Sequence, residues 1–134
     1  MKRIDVACAV IVNQGKLLVC QRNSASDHPF EWEFPGGKVE HGESPEECIV
    51  REIKEELSID IVIEKQLKPI DYDYCFKSIR LIPFCCKIIK GEPIALEHEM
   101  IKWHPVEYFA ELKWSWADSE LFYLNQAEIA CLHC

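Results

Sequence analysis

The run from Glu40 to Leu57 restricts the fold of this chain more than any other stretch. Seven Glu stand there against Arg51 and Lys54, a concentration of like charge that needs a physical reason. The local signals are helical: Ser44 suits the N-cap, Pro45 the first helical position, and Glu47 completes a capping box. The spacing predicts a helix ending near Leu57. At about 100° per residue, Ile49, Val50, Ile53 and Leu57 share one face, the expected core side. Glu52, Glu55 and Glu56 fall together on a neighbouring face, where like charges three and four apart each destabilise a helix by a few tenths of a kcal/mol. One reading is a solvated acidic face that Arg51 and Lys54 partly neutralise. The other is a cation site, because three convergent carboxylates are the oxygen donors that a hard divalent ion such as Mg2+ prefers.

The rest of the chain surrounds this helix with strands. Ile4–Val12 is rich in Val and Ile, Asn13-Gln14-Gly15 marks a turn, and Lys16–Gln21 reads as its hairpin partner. A polar loop from Asn23 to Glu31 leads into the extended Trp32-Glu33-Phe34 and then Pro35-Gly36-Gly37. Ile59–Ile70 and Ile79–Ile89 have strand composition, and a shorter strand is expected over Met100–Trp103. Pro105–Ala110 reads as a brief helix, and Asp118 or Ser119 is expected to open a last one. Strands on both sides of one central helix imply an α+β fold with a mixed sheet. With 134 residues and 49% hydrophobic content, a single domain over residues 1–134 is expected.

The net charge is −8 and no stretch clusters its Lys and Arg, which argues against polymeric nucleic acid as a partner. A small phosphorylated substrate stays open, since a divalent cation can supply the positive charge. No apolar run approaches the ~20 residues of a membrane span, and the N-terminal segment reads as a strand rather than a signal peptide. A cytoplasmic location follows, with the eight cysteines expected reduced and mostly buried as small hydrophobes. Cys131 and Cys134 form a CxxC around His133, but no second pair at zinc-site spacing accompanies it. The composition allows a monomer or a homodimer.

The segment GKVEHGESPEECIVREIKEELSI resembles the Nudix signature G-x5-E-x7-R-E-U-x-E-E-x-G-U, where U is a bulky aliphatic residue. The matching positions are Gly37, Glu43, Arg51, Glu52, Ile53, Glu55, Glu56 and Ile59. Ser58 departs from it, standing where the family has Gly just past the helix end. If the left-handed backbone is kept there, serine costs roughly 1 kcal/mol. The flanks EFPGGKVEHGE, LLVCQR and GEP with Glu97 are similar to the MutT branch of the family.

That resemblance implies the Nudix fold, a mixed β-sheet packed between helices as an α/β/α sandwich. It also implies cleavage of nucleoside triphosphates to monophosphate and pyrophosphate with Mg2+, for which Mn2+ can substitute. The Gly36 carbonyl with Glu52, Glu55, Glu56 and the more distant Glu97 would hold the cations. Glu52 is the implied group that orients or deprotonates water, with Glu55 and Glu97 able to share the role. Glu43 and Arg51 would pair to lock loop to helix, while Gly36 and Gly37 let the backbone approach a ligand. Arg22 and Lys38 would contact phosphate.

Asp118 falls where MutT relatives place the side chain that hydrogen-bonds the base; an ordinary helix N-cap is the alternative. Phe34, Tyr74 and the Trp114/Trp116 pair have the flat faces that stack on bases, although such aromatics more often pack in a core. Oxidised or modified nucleotides, 8-oxo-dGTP first, are the implied substrates. CTP or 5-methyl-dCTP is the alternative, followed by a nucleotide-sensing Nudix module without catalysis.

Overall fold

The computed structural model describes residues 3–132. Strand β1 (Arg3–Asn13) turns through Gln14 and Gly15, both at positive φ, into β2 (Lys16–Gln21). Two short strands follow, β3 (Trp32–Glu33) and β4 (Gly36–Lys38), and then helix α1 (Pro45–Leu57). The chain returns through β5 (Asp60–Gln66), β6 (Ile70–Tyr74), β7 (Lys77–Lys90) and β8 (Met100–Pro105). A 3-10 turn (Val106–Glu111), α2 (Trp116–Leu124) and α3 (Gln126–Ala130) complete it.

The sheet runs β3-β2-β1-β7-β5, with β4 added to β1, β6 to β7 and β8 to β2. Only the β1–β7 pairing among these is parallel, so the sheet is mixed. Alternation along β1 divides the core. Ala7, Ala9 and Ile11 face α1 with Ile49, Ile53 and Leu57, whereas Cys8, Val10 and Val12 face Phe109, Leu121 and Phe122. Helices on both faces make the expected α/β/α sandwich. Among the described residues no helix is long and apolar enough to cross a membrane.

Helix α1 begins at the expected capping box, with Ser44 Oγ accepting the Glu47 N–H at 3.1 Å and Glu47 Oε1 accepting the Ser44 N–H at 2.9 Å. It ends at Ser58 in the left-handed conformation (φ 59°, ψ 36°), whose N–H donates to the Lys54 carbonyl at 3.1 Å. Serine therefore keeps the backbone that the family gives to glycine. Two faces differ from the sequence reading. Val50 is 41% exposed, and Glu56 is buried. Glu56 lies seven residues after Ile49 and three after Ile53, which returns it to the middle of the apolar face.

The expected strand Ile59–Ile70 is two strands, β5 and β6, separated at Leu67-Lys68-Pro69, with β6 forming a two-residue hairpin with β7 (Tyr74 opposite Lys77). Pro69, which lacks a backbone donor, stands at the break. Helix α2 starts at Trp116 rather than at Asp118 or Ser119: Ser115 is the N-cap, and its hydroxyl accepts the Asp118 N–H at 3.3 Å. Cys8, Cys20, Cys48, Cys85 and Cys86 are buried, but Cys75 and Cys131 are exposed. His133 and Cys134 of the CxxC lie outside the described residues.

Candidate functional site

The acidic end of the site is organised by one guanidinium. Arg51 grips Glu43 with two bonds, Nε to Oε2 at 2.6 Å and Nη2 to Oε1 at 3.0 Å. Its Nη1 reaches Glu52 at 3.3 Å and Glu55 at 3.1 Å, and Nη2 reaches the Lys38 carbonyl at 3.5 Å. The loop-to-helix pairing expected of Glu43 and Arg51 is thus present, and these bonds hold the Glu43 carboxyl down at about 2. Two forked bonds to one carboxylate fix orientation as well as distance.

The glycines explain why the carboxylates fit. A Cβ on Gly37 would run into the Glu52 carboxylate, and one on Gly36 would run into the backbone of Ala7 and Cys8. β4 pairs with β1 (Gly36 opposite Cys8, Gly37 opposite Ala7), and at Gly36 the β1 backbone leaves no room for a side chain. Glu56 points into the same corner and accepts the Gly36 N–H at 3.3 Å. Burial, then the negative charges of Glu52, Glu33 and Glu97, pushes its carboxyl up to about 9. Burial also raises Glu52, against the pull of Arg51.

Glu97 sits on an exposed loop, held by its carbonyl to Asn23 Nδ2 at 2.8 Å. That loop lies along the C-terminal end of α1, with Ile94 and Leu96 N–H groups donating to the Leu57 and Glu56 carbonyls. A cavity of about 210 Å³ brings Glu56 and Glu97 together with Arg22, Glu33 and His98. Among the described residues no three acidic, His or Cys side chains are already drawn into metal-binding positions. The carboxylates nonetheless suit a hard divalent ion: Glu56, Glu97 and Glu33 offer oxygen donors beside Arg22 and His98, and the charges that raise the buried Glu56 are further acids, Glu52, Glu33 and Glu97.

The second, larger cavity, about 370 Å³, opens beside this corner and is lined by Phe34, Tyr74 and Asp118, with Arg22 and Glu33 at the boundary with the acidic end. Asp118 is buried at N3 of α2, where its Oδ1 accepts the Phe34 N–H at 2.9 Å and its Oδ2 accepts the Ser115 hydroxyl. Burial, with the nearby Glu33 charge, pushes its carboxyl up to about 7. Paired backbone bonds, Trp32 N–H to Lys113 O and Ser115 N–H to Trp32 O, hold the start of α2 against β3 and so set Asp118 at the cavity wall.

Most of the expected residues converge on these two cavities, with exceptions. Gly36, Glu56, Glu97, Arg22, Phe34, Tyr74 and Asp118 line one or the other, whereas Glu52 and Glu55, with Gly37, Glu43 and Arg51 behind them, line neither. Lys38 also lines neither, and its side chain is exposed. Phe34 serves both cavity and core, its ring 5.1 Å from that of Trp114. Trp114 is core, stacked 4.2 Å from Phe109, whereas Trp116 is 68% exposed. The sequence reading passed over Glu33, His98, Asp27 and Ser115. Glu33 holds Arg22 Nη1 at 3.1 Å and His98 Nε2 at 3.0 Å; its place beside Phe34 on an extended piece was the available signal. Asp27 and His98 carry no pattern of their own.

The NUDIX domain model matches residues 1–124. Over 103 residues the chain is 36% identical to the CTP pyrophosphohydrolase of Escherichia coli (strain K12), covering 77% of this chain and 76% of that protein. Over 104 residues it is 32% identical to the 8-oxo-dGTP diphosphatase of the same strain, covering 77% and 81%. The crystal structure of a MutT NUDIX hydrolase from Burkholderia pseudomallei superposes with a TM-score of 0.83 at 25% identity, covering 92% of this chain and 98% of that one. The chain therefore belongs to the NUDIX family, as a hydrolase acting on phosphoric anhydrides. Nudix hydrolases generally need a divalent metal.

Proposed function

We propose that this chain hydrolyses nucleoside triphosphates to the monophosphate and pyrophosphate with Mg2+, Mn2+ being able to substitute. The observation that carries the reading is the juxtaposition of a carboxylate-rich corner holding Glu56, Glu97 and Glu33 with a cavity of base size, Arg22 standing on the boundary of both. In this reading Glu52, Glu55, Glu56, Glu97 and the Gly36 carbonyl hold the cation. When bound, the cation neutralises phosphate charge, polarises the phosphorus–oxygen bond and lowers the pKa of water.

The protein's own groups divide the remaining work. Arg22 binds the phosphate chain. Glu52, wedged against Gly37, orients water and accepts its proton, with Glu55 the nearest group able to share that task. Arg51 and Glu43 keep Glu52 in place. The base enters between Phe34 and Tyr74 and meets Asp118, whose oxygens accept from the N–H edge of a purine or an exocyclic amine. Free nucleotides, not polymers, are the substrates, in keeping with the net charge of −8. Oxidised or modified nucleotides come first, 8-oxo-dGTP ahead of the rest. The 36% identity to a CTP pyrophosphohydrolase supports a second reading, in which CTP and 5-methyl-dCTP are preferred.

The test is pyrophosphate release with Mg2+ across 8-oxo-dGTP, 8-oxo-GTP, CTP, 5-methyl-dCTP and the unmodified deoxynucleotides. A kcat/KM for 8-oxo-dGTP above the unmodified set is expected. A higher value for the cytosine nucleotides selects the second reading, and nucleotide binding without release makes the chain a sensor.

A further inference from the structure

The guanidinium of Arg22 is already bonded to Ser26, Asp27 and Glu33. It stands at the neck of the loop 22–31, which closes through Phe30 N–H to Arg22 O at 2.9 Å and Arg22 N–H to Glu31 O at 2.8 Å. Asn23 makes the first bend, its Oδ1 accepting the Ala25 N–H at 3.0 Å and its carbonyl accepting the Ser26 N–H at 3.3 Å. The loop thereby returns Asp27 onto the guanidinium. Nη2 meets Asp27 Oδ1 at 2.6 Å, Nη1 meets Glu33 Oε1 at 3.1 Å, and Nε reaches Ser26 Oγ at 3.4 Å. Each guanidinium nitrogen thus spends an N–H on these partners, three of the five donors in all.

The two carboxylates hold Arg22 in different ways. Glu33 belongs to β3, and its other oxygen is taken by the nearly buried His98 ring. It is a fixed partner. Asp27 belongs to the loop, its side chain is 63% exposed, and water competes for its charge. An exposed ion pair of this kind contributes little and breaks easily. Phosphate offers Arg a bidentate, more highly charged partner than one carboxylate oxygen.

We propose that Asp27 is a displaceable stand-in for a substrate phosphate on Arg22, and that this competition sets the enzyme's affinity for its phosphate chain. The inference rests on the reading of Arg22 as a phosphate contact. A substrate must open the Asp27–Arg22 pair before its phosphate docks, while Glu33 keeps the guanidinium in place. Removing the Asp27 charge should therefore improve binding. A residue that merely oriented Arg22 would weaken binding when removed, so the sign of the effect decides between the two roles.

The experiment compares wild type with Asp27→Asn, Asp27→Ala, Arg22→Ala and the double variant Arg22→Ala/Asp27→Asn. KM for nucleoside triphosphate is measured alongside the Kd of inorganic pyrophosphate with Mg2+ by calorimetry, which needs no turnover. Both Asp27 variants should lower KM and Kd by about threefold to tenfold, a gain that 0.5 M salt shrinks. In the Arg22→Ala background the gain should vanish, because no competition remains. Unchanged or weakened binding in Asp27→Asn and Asp27→Ala overturns the proposal. So does an equal gain without Arg22, which would be general relief of negative charge. If Arg22→Ala leaves both constants unchanged, the phosphate role of Arg22 falls and the proposal with it. If Arg22→Ala weakens binding and the Asp27 variants do not strengthen it, only the displacement is wrong.

Discussion

At the acidic end of the site, Glu43, Arg51, Glu52, Glu55 and Glu56 all come from one turn-and-helix run, and the Arg51 guanidinium ties Glu43, Glu52 and Glu55 together. At the cavity end, Cys8, Arg22, Phe34, Tyr74 and Asp118 come from β1, the loop after β2, β3 and its sequel, β6 and α2. The first region is set by helix periodicity and short-range ion pairs. The second exists only once distant segments have packed, and backbone bonds between β3 and the start of α2 hold it together. In the proposed function, the chemistry that must not vary falls where local geometry fixes it. In the proposed reading, selectivity lies where several segments can each change a wall without disturbing the others.

If that division is right, damage at the acidic end should abolish turnover while sparing the fold. Glu52→Gln keeps the side chain's shape against Gly37 but removes a proton acceptor. It should reduce kcat by about 10³-fold, with thermal unfolding unchanged. Wild-type turnover in this variant would take Glu52 out of the chemistry. The two glycines separate the regions more finely. A Cβ on Gly36 meets the backbone of Ala7 and Cys8, which cannot yield, so Gly36→Ala should destabilise the protein by about 1–3 kcal/mol. A Cβ on Gly37 meets only the carboxylate end of Glu52, which can swing aside. Gly37→Ala should therefore unfold near the wild-type temperature and still lose most of its turnover. Equal stability losses in the two variants would show that β4 does not approach β1 as closely as described.

These contrasts also account for what could be read from residue order. The capping box, the length of α1 and the Arg51–Glu43 pairing depend on neighbours within a dozen positions, so they are visible in the sequence. Burial of Glu56 was equally encoded, seven residues after Ile49, but charge argued for solvent where periodicity argued for the core. Ile70–Tyr74 alternates apolar and polar residues, a strand signal, but the Cys75-Phe76 turn has none of the Gly, Asn or Asp that announces a hairpin, so the β6–β7 pairing is a tertiary fact. Glu33 and Asp27 bear on the site through Arg22, and no spacing announces a partner brought in by loop closure. The true cap of α2 was missed because Ser115 lies between two tryptophans that read as core, whereas Trp116 faces outward.

Asp118 tests whether the cavity wall trades stability for an acidic group. Its folded carboxyl is pushed up to about 7 by burial and Glu33, from an ordinary 3.8. The stabilising effect of burying the protonated form is complete below the unfolded value. It declines as pH rises between the two values and is gone above about 7. Asp118→Asn can still accept from Phe34 and can donate to Ser115, with nothing to ionise. The variant should therefore unfold at a higher temperature than wild type at pH 8, with the difference closing at pH 4. A gap independent of pH would remove Asp118 titration as its source. In the nucleotide panel the same variant should change the ratio of kcat/KM between bases more than it changes kcat.

The smallest expected effect is at Ser58, just past the helix that carries the glutamates. Its φ of 59° places a Cβ in the left-handed region, at a cost of roughly 1–2 kcal/mol, from which glycine's greater unfolded-state entropy takes back about 0.5–1. Ser58→Gly should leave a net gain of between zero and about 1.5 kcal/mol, each kcal/mol being about 4 °C in Tm for a domain of this size. The Ser58 N–H bond to Lys54 uses only backbone, so the helix end is preserved and the glutamates stay in register. Turnover should then match wild type. A faster or slower Ser58→Gly enzyme would mean that strain at the helix exit reaches Glu55 and Glu56, and the acidic end would be less insulated than its local construction implies.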